Sequence, residues 1–238
     1  MFDQEQLKDA IFLGVHDDTA CFALALANSE DATVLTEKYS AEFVDLKSHM
    51  ALLNNYDCEL LMLARFYVYW HGRHQYCGQC GQLTRSAESG HVRMCDDKEC
   101  NQHYFPSMDP AMIVLISYGD ECLLGRQKHW REGMYSNLAG FVEPGETLEE
   151  SVQREVMEES GVKLKSIDYN SSQAWLFPAS LMLAFTAEAV DKELRINKDE
   201  IEDAKWFSRA ELKEKLETLP YKTSIAYKLI SEWMNKAD

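Results

Sequence analysis

The sequence predicts a layered α/β protein. Apolar runs of strand length alternate with stretches of helical spacing, and strands interleaved with helices are typical of a sheet covered by helices. The 238 residues are 46% hydrophobic, which is ample for a packed core. No internal repeat or low-complexity segment is visible, and no obvious linker separates the elements.

The first elements along the chain are two strands and a helix. Residues 10–15 and 20–26 read as strands joined at His16-Asp17-Asp18. A helix is predicted over about residues 56–71, because apolar residues recur there at helical spacing. Its apolar face consists of Leu60, Leu61, Leu63, Ala64, Tyr67 and Trp70.

The second half of the chain carries the stronger signals. Residues 112–118 and 121–126 predict a hairpin about Gly119-Asp120. Thr147 with Glu150 predicts a capping box that starts a helix, and Gly161 predicts its end. Residues 180–190 predict another strand. Ser208 with Glu211 starts a further helix, and a last helix covers about 223–235.

Three carboxylates share one face of the helix that follows Thr147. Glu155, Glu158 and Glu159 stand at i, i+3 and i+4, where like charges repel. Such a cluster is tolerated when it binds hard cations, and Mg²⁺ usually shares its ligand sphere with substrate phosphates. The sequence therefore predicts a divalent-metal site for a phosphorylated substrate, with Arg154 placed to orient a carboxylate. A solvated acidic face is the alternative, but it does not explain the loop glycines or Arg154.

Four of the seven cysteines have the spacing of a metal site. A Cys-x2-Cys pair is followed after 14 residues by a Cys-x4-Cys pair, and this arrangement predicts a zinc ribbon with one structural zinc ion per chain. The predicted ligands are Cys77, Cys80, Cys95 and Cys100. The acidic residues between the last two cysteines, and His103, are alternatives for the fourth ligand. A pair of disulfides is the other alternative.

Charge and hydropathy exclude several classes of function. The net charge of −16 argues against broad binding to a nucleic-acid backbone, which needs clustered Lys and Arg. The first residues lack the basic start and long apolar run of a secretion signal. The apolar run at 20–27 is far too short to span a membrane. The expected location is the cytoplasm, without membrane partners.

Residues 140–162 follow the pattern Gly-x5-Glu-x7-Arg-Glu-aliphatic-x-Glu-Glu-x-Gly-aliphatic. This segment resembles the signature box of the Nudix hydrolases. The nine fixed positions are filled by Gly140, Glu146, Arg154, Glu155, Val156, Glu158, Glu159, Gly161 and Val162. The resemblance implies an α/β/α sandwich with a mixed sheet. It also implies two further metal ligands, the backbone carbonyl of Ala139 and the side chain of Glu200.

Segments outside the box resemble the NADH pyrophosphatase (NudC-type) subfamily, which carries a zinc ribbon. They are residues 70–81, 105–113 and 172–180. The last resembles the subfamily array Ser-Gln-Pro-Trp-Pro-Phe-Pro-x-Ser, although Ala174 and Leu176 replace two of its prolines. Ser107 stands where many members carry Arg.

The resemblance also implies a substrate pocket in which Phe141 stacks on a nucleobase. The residues expected to bind substrate are Phe105, Phe141, Gln173, Ala174, Trp175, Leu176, Phe177, Pro178, Ala179, Ser180 and Ala226. Taken without the resemblance, Trp175 and Phe177 offer flat apolar faces for a base, and an aromatic-rich core turn is the alternative.

The expected reaction is hydrolysis of the NAD(H) pyrophosphate to nicotinamide mononucleotide and AMP, with two or more Mg²⁺ or Mn²⁺ ions. Glu155, Glu158 and Glu159 are the expected catalytic residues, and either of the last two is a candidate to accept a proton. Two activities of the same kind remain open: hydrolysis of ADP-ribose or a dinucleoside polyphosphate, and removal of NAD caps from RNA 5′ ends. A function of another class also remains open, a nucleotide sensor that uses the ribbon to bind a partner.

The expected organisation is an α+β domain over residues 1–73, the zinc ribbon over 74–104 and a Nudix hydrolase domain over 105–238. The resemblance further implies a homodimer.

Overall fold

The computed structural model describes residues 9–26 and 29–236. The described residues up to Ser107, together with Leu176–Ala179, form one compact unit. Met108–Trp175 and the residues from Ser180 onward form a second. The first eight residues, on which the expectation of no secretion signal rests, lie outside the described part. Among the described helices, none is both long and apolar enough to cross a membrane.

The first unit begins with an antiparallel strand pair followed by helices. The bounds are β1 Ile11–His16, β2 Thr19–Ala23, α1 Ser29–Tyr39, α2 Leu46–His49 and α3 Asn55–Arg73. Asn54 caps α3 by accepting a hydrogen bond from the backbone N–H of Asp57. The buried face of α3 presents Phe66, Tyr67 and Trp70 to Ile11 of β1, so this helix provides the core of the unit.

The cysteine-containing segment forms a three-stranded antiparallel sheet, with β3 Thr84–Ala87, β4 Val92–Cys95 and β5 His103–Tyr104. A 3-10 turn at Glu88–Gly90 links the first two strands. Gly90 has φ +92°, and a Cβ there would lie 2.9 Å from the backbone of Ile11, so the close approach requires glycine.

The described residues of the second unit contain nine of the principal elements. They are β6 Asp109–Tyr118, β7 Glu121–Arg126, β8 Leu138–Phe141, α4 Leu148–Ser160, β9 Leu164–Trp175, β10 Ser180–Ala189, β11 Asp203–Ser208, α5 Arg209–Glu214 and α6 Ile225–Asn235.

The six strands found in the described residues of this unit form one mixed sheet. Five of them follow the order β11-β7-β6-β10-β9, and β8 pairs with β6 outside this order. The central strand β6 pairs in parallel with β10 and antiparallel with β7. Its first half pairs with β8 instead, with Ala111 opposite Phe141 and Ile113 opposite Ala139. This pairing places β8, the strand that leads into the carboxylate helix, against the middle of the sheet.

Side chains of β6 alternate between two cores. Met112, Val114 and Ile116 pack on one side with Val152 and Val156 of α4. Ile113 and Leu115 pack on the other side with α5 and α6, where Leu212, Leu229 and Ile230 are almost fully buried. Because successive strand residues face opposite sides, a strand buried on both sides reads as one continuous apolar run. The α/β/α sandwich expected from the sequence is confirmed.

The array at 172–180 is not a loop throughout. Its first four residues belong to β9, with Trp175 paired to Ser180 across a hairpin that turns at 176–179. Strand β9 was missed because it lies at the sheet edge and is largely exposed and polar, so it lacks a continuous apolar run.

Candidate active site and metal centre

Helix α4 positions the carboxylates because both of its ends are fixed. Thr147 and Glu150 form the predicted capping box, in which the Thr147 side chain accepts from the Glu150 N–H and the Glu150 carboxylate accepts from the Thr147 N–H. Gly161 ends the helix in the left-handed region with φ +71°. The phase of the helix is therefore set, and Glu155, Glu158 and Glu159 share the predicted face.

Gly140 on β8 makes room for Glu155. A Cβ at position 140 would lie 2.0 Å from the Glu155 carboxyl carbon and 2.1 and 2.3 Å from its two oxygens. The carboxylate thus rests against the strand backbone, one residue after Ala139, whose carbonyl is an expected ligand. Burial raises the pKa of Glu155.

Arg154 fastens the loop before the helix to the carboxylate face. Its guanidinium binds both oxygens of Glu146, at 2.5 and 3.1 Å, and donates to the Phe141 carbonyl at 2.9 Å. The same group donates to Glu155 at 2.9 Å and to Glu158 at 3.2 Å. The hydrogen bond from Arg154 lowers the pKa of Glu146. The expected orienting role of Arg154 corresponds to these contacts.

Glu159 is the most unusual carboxylate of the group. It is 6% exposed, and its Oε2 has no hydrogen-bond partner. Burial, with the nearby charges of Glu155 and Glu200, raises the pKa of Glu159 to about 8. A divalent cation among these carboxylates would offset the repulsion between them, so the residues fit a bound metal.

The loop before β11 brings Glu200 to the helix. The N–H groups of Arg195 and Asn197 donate to the carbonyls of Ser160 and Glu159, at 2.7 and 3.0 Å. These bonds satisfy carbonyls that are left free at the end of α4. The Asn197 amide then donates to Glu200 at 3.0 Å, so Glu200 is held by the same loop.

The carboxylates differ in exposure. The side chain of Glu158 is 49% exposed, against 15% for Glu155. Within the described residues, the only group of three or more ligating side chains whose ligand atoms all lie within 4.8 Å of one another is the cysteine set. The carboxylates line a shared face rather than enclosing a single point.

The predicted substrate residues of the second unit occupy different environments. The Phe141 ring is 59% exposed, as a stacking surface requires, whereas Ala226 and Ser180 are buried. The amide of Gln173 accepts from the Ile225 N–H at 2.7 Å and donates to the Thr223 carbonyl at 2.8 Å. Gln173 therefore fixes the start of α6, next to Ala226. Ala174 is exposed, and Trp175 is partly buried.

The residues of the hairpin turn lie against α3 within the first unit. Leu176 and Ala179 are buried in the core formed by α3 and β1. The Arg65 guanidinium of α3 donates to the Leu176 carbonyl at 2.7 Å and lies 4.9 Å from the centre of the Phe177 ring. These two contacts anchor the turn to α3. Elsewhere in the same unit, Phe105 is 65% exposed, and Pro178 is exposed.

The four predicted thiols come together. All their sulfur atoms lie within 4.8 Å of one another, with Cys77 to Cys100 at 3.8 Å and Cys80 to Cys95 at 3.4 Å. All seven cysteines of the chain lie in described residues and are free thiols, so the disulfide alternative is wrong. The fourth member of the cluster is Cys100 rather than an acidic residue or His103.

Tyr104 supports this cluster. Its hydroxyl accepts from the Gly78 N–H at 2.7 Å and is therefore oriented to donate to the Cys77 sulfur, 3.2 Å away. This hydrogen bond lowers the pKa of Cys77 to about 6. A hydrogen bond to a ligand atom is typical of metal sites, where it fixes the ligand and tunes its basicity.

Sequence reasoning missed three of these residues. Arg65 gave only a weak signal, a charge inside an apolar helix face. Tyr104 follows the last cysteine by four residues, but nothing in that spacing predicts a contact with Cys77. The role of Asn197 depends on a loop whose path has no local pattern.

The fold and the site correspond to known protein families. The NUDIX domain model matches residues 107–228, just over half of the chain, and the chain belongs to the Nudix hydrolase family. The model of the NADH pyrophosphatase zinc ribbon domain matches residues 73–105, and that of the NADH pyrophosphatase-like rudimentary NUDIX domain matches residues 3–70. Within the family, the chain is therefore of the zinc-ribbon NADH pyrophosphatase type.

Curated relatives support this placement. The chain is 40% identical over 219 residues to the NAD-capped RNA hydrolase NudC of Chromobacterium violaceum, covering 92% of this chain and 78% of that protein. It is 35% identical to the human mitochondrial NAD(P)H pyrophosphatase NUDT13, covering 98% and 74%. The human NAD-capped RNA hydrolase NUDT12 is 40% identical over 72% of this chain, which spans only 40% of that longer protein.

A solved structure shows the same fold. A NUDIX hydrolase from Nitrosomonas europaea superposes with a TM-score of 0.57 at 18% identity, covering 68% of this chain and 92% of that one.

Proposed function

We propose that the protein hydrolyses the pyrophosphate bond of NAD(H) to give nicotinamide mononucleotide and AMP. The observation that carries the proposal is the burial of the Glu159 carboxylate beside the charges of Glu155 and Glu200. Burying a charged carboxylate without a partner is unfavourable in free energy, and a bound cation offsets that cost. The family and the relative named for NAD(P)H pyrophosphatase activity support the choice of substrate.

Two or more Mg²⁺ or Mn²⁺ ions are the proposed cofactors. Their ligands would be the carboxylates of Glu155, Glu158, Glu159 and Glu200 with the carbonyl of Ala139. When bound, such cations neutralise the pyrophosphate and make an attacking water more acidic. Arg154 orients Glu155 and Glu158, while Gly140 leaves the space that Glu155 occupies. Glu159 and Glu158 are the candidates to accept the proton of that water.

The exposed ring of Phe141 is the proposed stacking surface for the base. The remaining substrate contacts are proposed for Phe105, Ala226 and the array from Gln173 to Ser180. The Gln173 amide is also bonded to the start of α6, so Gln173 helps to place Ala226.

The cysteine cluster is proposed to hold one structural Zn²⁺. Four thiolates leave no open position for water, so a direct catalytic role is not expected. The division at residues 73 and 104, the homodimer and the cytoplasmic location remain predictions. Light scattering on the purified chain tests the dimer.

A second candidate function is removal of NAD caps from RNA, because relatives named NAD-capped RNA hydrolase match 72–92% of the chain. The same metal site would cleave the same pyrophosphate. The net charge of −16 argues against extended contacts with the RNA phosphate backbone. The preferred RNA substrates would therefore have a short or mobile 5′ end.

The decisive experiment is a Mn²⁺ and Mg²⁺ assay of NADH, NAD⁺, ADP-ribose, diadenosine compounds and an NAD-capped RNA, with chromatography of the products. Nicotinamide mononucleotide and AMP are expected from NADH. Glu159→Gln should lose most of kcat while it keeps its zinc and its fold. Failure of the parent protein to cleave any compound in the panel would refute the enzyme and favour the nucleotide sensor.

A further inference from the structure

Asn137 is a buried amide without a hydrogen-bond partner. It directly precedes β8, is 4% exposed, and neither its Oδ1 nor its Nδ2 makes a hydrogen bond. Glu159, whose Oε2 also has no hydrogen-bond partner, lines the same small cavity as Asn137. Buried polar groups are nearly always paired in folded proteins, so these three atoms call for a partner.

The cavity is large enough to hold that partner. Its volume is about 60 Å³, and Ala139 and Ile201 also line it. One water needs about 10–15 Å³ of such space and two to four polar neighbours, which this cavity provides.

Arg126 also lines the cavity, but most of its donors are committed elsewhere. Its two terminal nitrogens donate to the carbonyls of Trp130, Arg131 and Met134, and its Nε lies 2.7 Å from the Glu202 carboxylate. Among the described residues that line the cavity, Asn137 carries the only buried side-chain donor without a hydrogen-bond partner, so its amide is the donor proposed to reach Glu159 through water.

Packing alone does not call for an amide at position 137. Leu138, Ile201 and Trp130 supply apolar contacts around the cavity, so an aliphatic side chain at position 137 would remove the unpaired amide itself. The amide at position 137 is better explained by a hydrogen-bonding role toward Glu159.

We propose that Asn137 is a positioning residue for Glu159. Its amide, through water in the cavity, holds Oε2 of Glu159 and so orients the carboxylate toward the cation. This inference rests on the proposed function, since it gives Glu159 a cation to bind. A residue that orients a ligand in this way typically changes metal affinity or activity by about 10- to 100-fold when it is replaced.

The test compares Asn137→Val with Asn137→Ser. Valine removes both polar atoms, whereas serine keeps a hydroxyl and leaves space for water. Asn137→Val should weaken the tightest Mn²⁺ site by about 10-fold in an electron paramagnetic resonance titration and lower kcat for NADH with little change in KM. Its melting temperature should stay close to the parental value, because the burial of an apolar side chain offsets the loss of the water-mediated hydrogen bonds. Asn137→Ser should lie close to the parent in all of these measurements.

A high-resolution crystal structure of the parent protein should show water bonded to both Asn137 and Glu159. A dry cavity, or Asn137→Val with parental Mn²⁺ affinity, would overturn the inference. So would a lower melting temperature at unchanged affinity, which would indicate a purely structural role. If the parent cleaves no substrate, the proposed function fails, while the Mn²⁺ titration and the crystallographic water still decide the role of Asn137.

Discussion

Gly140→Ala should separate activity from stability. The new methyl group would lie 2.0 Å from the Glu155 carboxyl carbon. Carbon atoms in contact are separated by about 3.5–4.0 Å, so the carboxylate must retreat by about 1.5 Å. It is the far end of a flexible side chain, so the carboxylate moves and β8 does not.

The two consequences have different sizes. A displacement of about 1 Å in catalytic machinery can cost about 100-fold in rate, which corresponds to about 2.7 kcal/mol of activation free energy. The loss of the Arg154 to Glu155 hydrogen bond costs about 0.5–1.5 kcal/mol of folding stability. The lower unfolded-state entropy of alanine returns about 0.4–1 kcal/mol, because Gly140 does not have positive φ. We therefore expect a large fall in kcat with a nearly unchanged free energy of unfolding.

The assay measures NADH hydrolysis with saturating Mn²⁺, urea unfolding and Mn²⁺ affinity. Gly72→Ala is the matched control, because a Cβ at that helical position meets nothing within 4 Å. It should leave kcat unchanged and add about 0.5–1 kcal/mol of stability. If Gly140→Ala kept the parental kcat, catalysis would not depend on the observed position of the Glu155 carboxylate, and the reasoning would be refuted.

Three further predictions follow from charge, anchoring and metal binding. In the metal-free protein the pKa of Glu159 is about 8 in the folded state and about 4.3 in the unfolded state. The contribution of Glu159 to the free energy of unfolding is therefore fully present at low pH and is lost as pH rises toward 8. Urea unfolding should therefore show that Glu159→Gln is as stable as the parent near pH 4 and more stable near pH 8. The gain at pH 8 should be about 1–3 kcal/mol, because structural relaxation reduces the upper limit of about 5 kcal/mol set by the pKa difference. Equal stabilities at pH 8 would contradict the burial argument. Arg65→Met removes the hydrogen bond to the Leu176 carbonyl and should raise KM for NADH by about 3- to 10-fold. Arg73→Met serves as the control. An unchanged KM in Arg65→Met would show that the turn at 176–179 does not contribute to substrate binding. Cys100→Ser should lose the single zinc measured by elemental analysis and lower the melting temperature, and retention of one zinc would exclude Cys100 as a ligand.

The sequence predicted the parts of this protein that are encoded locally. The helix that starts at Thr147 and ends at Gly161 has the capping residues that fix it, so its carboxylate face followed from spacing alone. The cysteine cluster followed from spacing in the same way. The apolar run of β6 gave a strand but not its two-sided burial, because a continuous run does not identify the layers around it.

The missing parts depend on contacts between distant segments. The polar edge strand β9 has no strong local pattern, and the polar loop that carries Asn197 is placed by hydrogen bonds to the end of α4. The cavity that contains Asn137 forms only when β8, α4 and Ile201 meet. No propensity or periodicity encodes such a meeting point.

Differences in burial along α4 give its carboxylates different dependence on a cation. Glu158 is half exposed and bonded to Arg154, so water and a guanidinium already stabilise its charge. Glu159 is buried with an unpartnered oxygen, and electrostatic interactions are stronger where water is excluded. A cation therefore gains most from Glu159 and least from Glu158, while Arg154 holds Glu155 by a hydrogen bond. Repulsion between these carboxylates destabilises the folded protein in the absence of a cation. A divalent ion relieves that repulsion when it binds, and the relief adds to its binding free energy.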